Sequence, residues 1–395
     1  MSAIAIESVQ TRRFWGLAAV GASVLGAGLV GAWMMEHHGH VITGMNNEIV
    51  WGTPHVFAIF LIVAASGVLN VASVGTVFGQ AAYKPSARLS GLLCVALLTG
   101  GLMVLMLDLG RPERFVVAAT HYNFTSMFAW NVFLYTGMFA LVALYLWTLM
   151  ERRMYRYSRP AGIAAFIWRI VLTTGTGSIF AFLVARQAYA SAVLAPLFIA
   201  MSLAWGTAVF LLAEAGLNAW RGSRPAPEFQ RRVAKLMGVF VAAVLYFVVV
   251  YHLTNLYFAK QVAFERFILL DGGIYPALFW LGYVLLGSAV PLFLVWRPVA
   301  TPRIVLVAAA LVVAGAFAQL YVFIIGGQAF PLEIFPGYEV TSSYRDGQIA
   351  GYVPSVWEVL LGIGGVAAAF LIVLVGVQVL EFMPDETPAP GARVS

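Results

Sequence analysis

Cysteine and charge are both scarce in this chain. Cys94 is the single cysteine among 395 residues, which excludes an intrachain disulfide and the thiolate sets that hold structural zinc or an iron–sulfur cluster. Any such cluster would have to come from a partner. Charged residues make up 10% of the sequence, against about a quarter in soluble domains. With 62% hydrophobic residues, the chain's solvent is expected to be lipid. Short segments of strict alternation are lacking, which argues against a transmembrane barrel.

What is present is a succession of apolar runs. A membrane helix needs roughly 20 mainly apolar residues, and the sequence supplies such segments at Phe14 to Met34, Pro54 to Phe78, Leu89 to Leu107, Ser126 to Met150, Ala161 to Val184, Ser191 to Leu217, Val233 to Phe258, Ile274 to Trp296, Ile304 to Ile325 and Ser355 to Leu380. The expected fold is an all-α integral membrane protein of ten transmembrane helices, one domain over residues 1–382. The first run follows Arg12 and Arg13 but is too long for a secretion signal and lacks a small-residue cleavage site, so it is expected to be retained. From Met383 a proline-rich tail, acidic at Asp385 and Glu386, reads as disordered and cytoplasmic.

Basic residues give the orientation. With a cytoplasmic N-terminus, sixteen Lys and Arg fall in cytoplasmic segments and six in outer ones, Arg169 within a span being the last of 23. The positive-inside rule therefore places both termini in the cytoplasm, in a bacterial cytoplasmic (inner) membrane. The net charge of +6 is absorbed by these loops and gives no reason to expect nucleic acid as a partner. The longest loops, Glu36 to Thr53, Asp108 to Thr125 and Gly326 to Pro354, lie outside, where a docking partner is most easily placed.

Ionisable groups at membrane depth are costly, so each points to function or to a paired structural role. Most gather toward the outer face: His55 opening the second span, Asp108 closing the third, Asn131 and Tyr135 in the fourth, Arg186 after the fifth, His252 and Asn255 late in the seventh, and Glu358 early in the tenth. His55 has two readings, an interfacial histidine bonded to a loop carbonyl, or a hydrogen-bond and proton partner for a quinone carbonyl. Asn131 and Tyr135 share a helix face at i, i+4, lining a pocket or bonding between helices. Asp108 and Arg111 are spaced for an ion pair that ends the third helix. Arg169, about 12 Å into its span by the helix rise, and Glu214 near the end of another are expected to pair structurally, a proton path being the alternative. The run His37, His38 and His40 reads as a solvated loop, and no metal site is expected. A b-type haem would have to bridge His55 and His252, too slight a signal to expect one.

Several segments resemble the family of polysulfide reductase membrane subunits, or NrfD-like quinone-interacting proteins. They are Trp51-Gly-Thr-Pro-His-Val-Phe57, the segment Leu107 to Phe115, His121-Tyr-Asn-Phe-Thr-Ser126 and Val353-Pro-Ser-Val-Trp-Glu-Val359. The stretch from His37 to Trp51 and the following Ala64 to Ser73 are most similar to the DsrP branch, the membrane subunits of DsrMKJOP complexes of dissimilatory sulfur metabolism. The resemblance implies two adjoining four-helix bundles plus two extra helices, no haem or iron–sulfur cluster in this chain, and an exchangeable quinone, menaquinone or ubiquinone, bound near the outer face. It implies a periplasmic ferredoxin-like iron–sulfur subunit as partner, with a multihaem cytochrome c, a cytochrome b membrane subunit and a cytoplasmic iron–sulfur subunit completing the complex. His55 matches the family's quinone-contacting histidine, and Glu358 an acidic position opening the last helix of ten-helix relatives. Trp51, His121, Tyr122, Asn131 and Tyr135 join them as candidate quinone contacts. A tyrosine of the fourth core helix has no counterpart in the Thr173 to Ser178 region.

The function expected is electron and proton exchange between the quinone pool and the iron–sulfur partner. A secondary transporter or proton-translocating module is the alternative, motivated by Arg169, Glu214 and the helix count, and a purely structural anchor is a third.

Overall fold

The computed structural model describes residues 11–223, 226–298, 300–332, 338 and 347–383. The expected disordered tail falls outside the described residues from 384 onward, as do Glu333, Glu339, Arg345 and Asp346 of the last long loop. Ten helices are long and apolar enough to cross a bilayer. They are α1 (Thr11–His38), α2 (Thr53–Thr76), α3 (Ala87–Leu107), α4 (Met127–Met150), α5 (Ser158–Ala181), α6 (Leu194–Arg221), α7 (Pro227–Tyr257), α8 (Ile274–Val295), α9 (Pro302–Ala329) and α10 (Val356–Val379).

The helices form the expected two bundles. Helices α2 to α5 pack as one, α6 to α9 as the other, and α1 pairs with α10 against α2 and α3. Burial follows this order: 94% of the most apolar window of α2 is buried inside the protein, against 22% for α1, so α2 is the central post and α1 faces outward.

Close backbone approach, not hydrophobic sorting, sets these contacts, because lipid is as apolar as a leucine. The bundles meet where Gly67 of α2 crosses Gly206 of α6; a Cβ on Gly67 would lie 1.6 Å from the Ser202 carbonyl oxygen. Gly28 and Gly364 make the same kind of contact between α1 and α10.

Helix starts explain the placement of the candidate residues. Pro54 lies in the first turn of α2, where its missing N–H costs no bond, and sets His55 one residue later. Ser355 and Glu358 close a reciprocal capping box on α10. Both starts lie at the end of the molecule where α1, α3, α5, α7 and α9 finish, here termed the histidine end.

Two expectations are adjusted. The helix α1 continues to His38, so His37 and His38 are helical, His37 stacking on Trp33 at 5.2 Å, and only His40 falls in the following short turn, His40–Ile42. The second bundle is also less regular than an apolar pattern suggests, with π-helical stretches at Phe267–Asp271, Leu278–Ala289 and Tyr321–Gly326.

Candidate functional site

The first turn of α2 brings His55 against Asp108, the residue that caps the end of α3. Nδ1 of His55 lies 2.8 Å from Oδ2 of Asp108. The exposures differ in a useful way: the His55 side chain is 16% exposed and the Asp108 side chain 1%. The carboxylate is sealed behind the ring, and the ring is accessible. Among the described residues no other donor serves Asp108, since neither of its oxygens has a well-aligned hydrogen-bond partner. A buried carboxylate with a single ionic contact is costly as structure. As a backing for an imidazole it fixes ring orientation and stabilises an imidazolium, leaving Nε2 for a ligand.

Arg111 is therefore not the partner of Asp108. Arg111 is exposed after α3, and the ion pair expected from the sequence is replaced by the His55 contact. Sequence spacing favoured the near neighbour, whereas the antiparallel packing of α2 on α3 brings their ends together.

Trp51 covers the ring, with centroids 5.9 Å apart and planes 28° from parallel. It also meets Phe128 at the start of α4, Phe180 at the end of α5, and Tyr189. The indole is held through its backbone. Gln328 accepts from the N–H of Val50 and of Trp51, both at 3.0 Å, and donates to the Trp51 carbonyl at 3.0 Å and the Ile324 carbonyl at 2.8 Å. Arg186 braces the same corner, donating to the Gln328 and Glu48 carbonyls at 2.6 Å each. Partial burial pulls the Arg186 guanidinium below its ordinary value, with Tyr189 and Glu48 opposing. Gln328 was not singled out by the sequence; its only signal is an amide in an apolar helix end, after two glycines.

One turn below Phe128 on α4, Asn131 is 2% exposed, its amide spent on the Met127 carbonyl and its Oδ1 unpartnered among the described residues. Tyr135 follows on the same face, buried within hydrogen-bonding reach of Thr176 on α5. Asn131 thus offers a buried, unsatisfied acceptor beneath the aromatic wall around Trp51.

Glu358 is wholly buried and fully engaged. Its carboxylate accepts from the N–H of Gly44 at 2.9 Å and of Ser355 at 2.7 Å and from the Tyr352 hydroxyl at 2.5 Å. Tyr352 in turn contacts the N–H and hydroxyl of Thr53 at 2.6 and 2.9 Å. Burial first, and the Glu358 charge second, raise the Tyr352 phenol above its ordinary value. These contacts knit α10 to the loop that carries Trp51. Tyr352 is a residue that the sequence reading missed.

The remaining candidates lie elsewhere. Tyr122 stacks on Phe133 at 4.3 Å in an aromatic patch with Phe124 and Trp130. His121 is exposed and contacts Thr120 at 3.1 Å. Arg169 donates to Asn70 Oδ1 at 2.6 Å and to the Ser66 carbonyl at 3.2 Å, with Phe166 under its guanidinium. Its expected pairing with Glu214 does not form. Asn70 also reaches Leu203 and Thr207 of α6, and Glu214 lies seven residues further along α6, roughly 10 Å by the helix rise. Glu214 is itself buried, with Oε2 unpartnered among the described residues. His252 pairs with a residue the sequence did not flag, Glu265, at 2.6 Å. Among the described residues no group of three or more His, Cys, Asp or Glu is placed to hold a metal ion.

Comparison with known proteins bears on this arrangement. The protein is 30% identical to the Hdr-like menaquinol oxidoreductase integral membrane subunit of Archaeoglobus fulgidus, over 90% of each sequence. It is 28% identical to a putative dimethyl sulfoxide reductase membrane subunit of Halobacterium salinarum, over 92% of this protein and 90% of the relative. With the polysulfide reductase membrane relative of Wolinella succinogenes the identity is 24%, over 72% of this protein and 96% of the relative. The model of the family described as Polysulphide reductase, NrfD, matches residues 41–332, the span holding α2 to α9 and the His55–Asp108 pair, and this chain therefore belongs to that family.

Proposed function

We propose that this chain is the quinone-reactive membrane subunit of a multi-subunit oxidoreductase, exchanging two electrons and two protons between a quinone and an iron–sulfur partner at the histidine end. The observation that carries this reading is the accessible His55 ring backed at 2.8 Å by the sealed Asp108 carboxylate. In quinone reduction each oxygen gains a proton as the ring gains electrons; in the reverse direction the hydroxyls lose them. An imidazole hydrogen-bonded to one oxygen through Nε2 gives or takes that proton, and Asp108 stabilises the charged ring between transfers. Trp51 supplies a flat apolar wall for the headgroup, and Asn131 a second polar contact deeper in the bundle. Glu358 and Gln328 hold the loop that carries Trp51.

The relatives' names, a menaquinol oxidoreductase subunit and a polysulfide reductase component, support a quinone substrate, with menaquinone the first choice. The finer reading is a cytoplasmic (inner) membrane location with both termini inside, a periplasmic ferredoxin-like subunit docked at the histidine end, and a DsrMKJOP-like complex of sulfur metabolism with its cytochrome and cytoplasmic iron–sulfur subunits. The charge bias of the loops and the resemblance of residues 37–51 to the DsrP branch support it. The test is His55→Phe in the assembled complex, with partners and clusters confirmed present. Electron exchange with a quinol analogue is expected to fall about 10²- to 10⁴-fold; rates near wild type from pH 6 to 8 sink the assignment.

A second reading, a proton-translocating module, is favoured by one feature. Arg169 and Glu214 are both buried without an opposite charge among the described residues, and such groups in a membrane commonly mark ion or proton paths. Proton release by reconstituted vesicles on quinol turnover, lost in Glu214→Gln with electron exchange retained, distinguishes it.

A further inference from the structure

The second bundle repeats the arrangement of the first, at a cavity that the reading above does not use. At the histidine end of α7, His252 places Nδ1 2.6 Å from Glu265 Oε2, and Glu265 is wholly buried. The other Glu265 oxygen accepts from the Asn255 amide at 2.7 Å. An ionised carboxylate only accepts, so Nδ1 of His252 carries the donated proton and Nε2 is the ring's remaining polar atom. His252 lines a cleft of ≈ 440 Å³, partly open to the surroundings, between α6, α7, α8 and α9. That lies within the range of small-molecule pockets, about 300–1,000 Å³.

Three features mark this cleft as more than a packing fault. Its walls are apolar, with Met201, Phe279 and Phe323 among them. Into it faces Gln319, 6% exposed, whose Oε1 has no hydrogen-bond partner among the described residues; a buried amide oxygen left unsatisfied costs about 1–3 kcal/mol unless a ligand or water completes it. Finally, Ile268, Phe279 and Phe323 each come from one of the three π-helical stretches. Such irregular turns recur at functional sites, where they open a helix and re-aim its side chains.

We propose that this cleft is a second binding site for a quinone headgroup, distinct from the one at His55, with His252 Nε2 and Gln319 as its polar contacts. A flat ring fits between Phe279 and Phe323. One ring oxygen bonds His252 and a hydroxyl of the reduced form donates to Gln319 Oε1. Phe323 also touches Phe180 and Tyr189 at 5.0 and 5.2 Å, and both of those rings contact Trp51. The two sites share one aromatic wall.

The experiment uses the full chain in lipid nanodiscs and a 1,4-naphthoquinone carrying an aryl azide, photolysed and mapped by peptide mass spectrometry. The expected result is two sets of labelled peptides, one around residues 51–57 and one from α7 to α9, both suppressed by unlabelled menaquinone. Gln319→Leu is the decisive variant, because removing an unpartnered amide leaves the fold intact. It is expected to weaken labelling of the second set about tenfold and leave the first unchanged, and His252→Phe is expected to do the same. His55→Phe should affect the first set alone. A single set at 51–57 overturns the second site while leaving the His55 reading in place. Labelling of α7 to α9 that persists in Gln319→Leu and His252→Phe, or that excess phospholipid suppresses and menaquinone does not, overturns it as well.

Discussion

Replacing Asp108 by asparagine separates a catalytic role for the His55 pair from a structural one, because the two roles move stability and rate in different directions. The substitution keeps the side chain's shape and removes its charge at a position 1% exposed and 2.8 Å from the imidazole. No well-aligned donor among the described residues serves either carboxylate oxygen, so the fold loses little with the charge, and relief of a buried carboxylate offsets what is lost. The thermal midpoint is expected to stay within a few degrees of wild type or to rise. The rate behaves otherwise. An opposite charge within 4–6 Å stabilises a protonated side chain by about 1–4 kcal/mol, and burial on this side leaves little screening. Withdrawing that stabilisation from a step in which the ring is charged slows it about 10- to 10³-fold. The assay is quinol-dependent electron exchange by the assembled complex, with a water-soluble one-electron donor or acceptor to the iron–sulfur partner as the control. The loss should fall on kcat more than on KM, because the resting quinone makes no use of the charge. An Asp108→Asn complex that turns over within about twofold of wild type, or one that loses stability and rate together, refutes the assignment.

Glu358→Gln is expected to behave in the opposite sense: the carboxylate accepts three hydrogen bonds and contacts the segment leading to Trp51, so its loss should cost about 1–3 kcal/mol of stability, read as a lowered unfolding midpoint in detergent. Gln328→Leu strands the N–H groups of Val50 and Trp51 and should raise KM for quinol by displacing the indole, with Trp fluorescence reporting the change; an unaltered KM and spectrum would remove Gln328 from the site. Tyr122→Phe, in the aromatic patch with Phe133, should leave turnover within about twofold, and a larger loss would return Tyr122 to the quinone contacts. A single reporter cysteine at Thr43, in a Cys94→Ala background, should be modified by an impermeant maleimide in intact cells, whereas labelling only after lysis would invert the topology.

Composition and apolar periodicity determined much of this protein. Ten spans and an all-α membrane fold follow from a solvent that leaves no backbone group unpaired, and the polar residues destined for the histidine end can be read from helix parity alone. His55 was marked by its place after Pro54 and by resemblance. What the tertiary structure decided is which of those residues meet. Asp108 turned from Arg111, three residues away, to His55 across the packed ends of α2 and α3; Arg169 found Asn70, not Glu214, because depth along neighbouring helices, which sequence distance does not encode, sets its reach. Glu265 and Gln328 carry no local signal, since each acts through residues distant in the chain or in an adjoining helix. Pairing at membrane depth depends on the register of helices in contact, and that register is set by small-residue crossings such as Gly67 on Gly206, which have meaning only once both helices are in place.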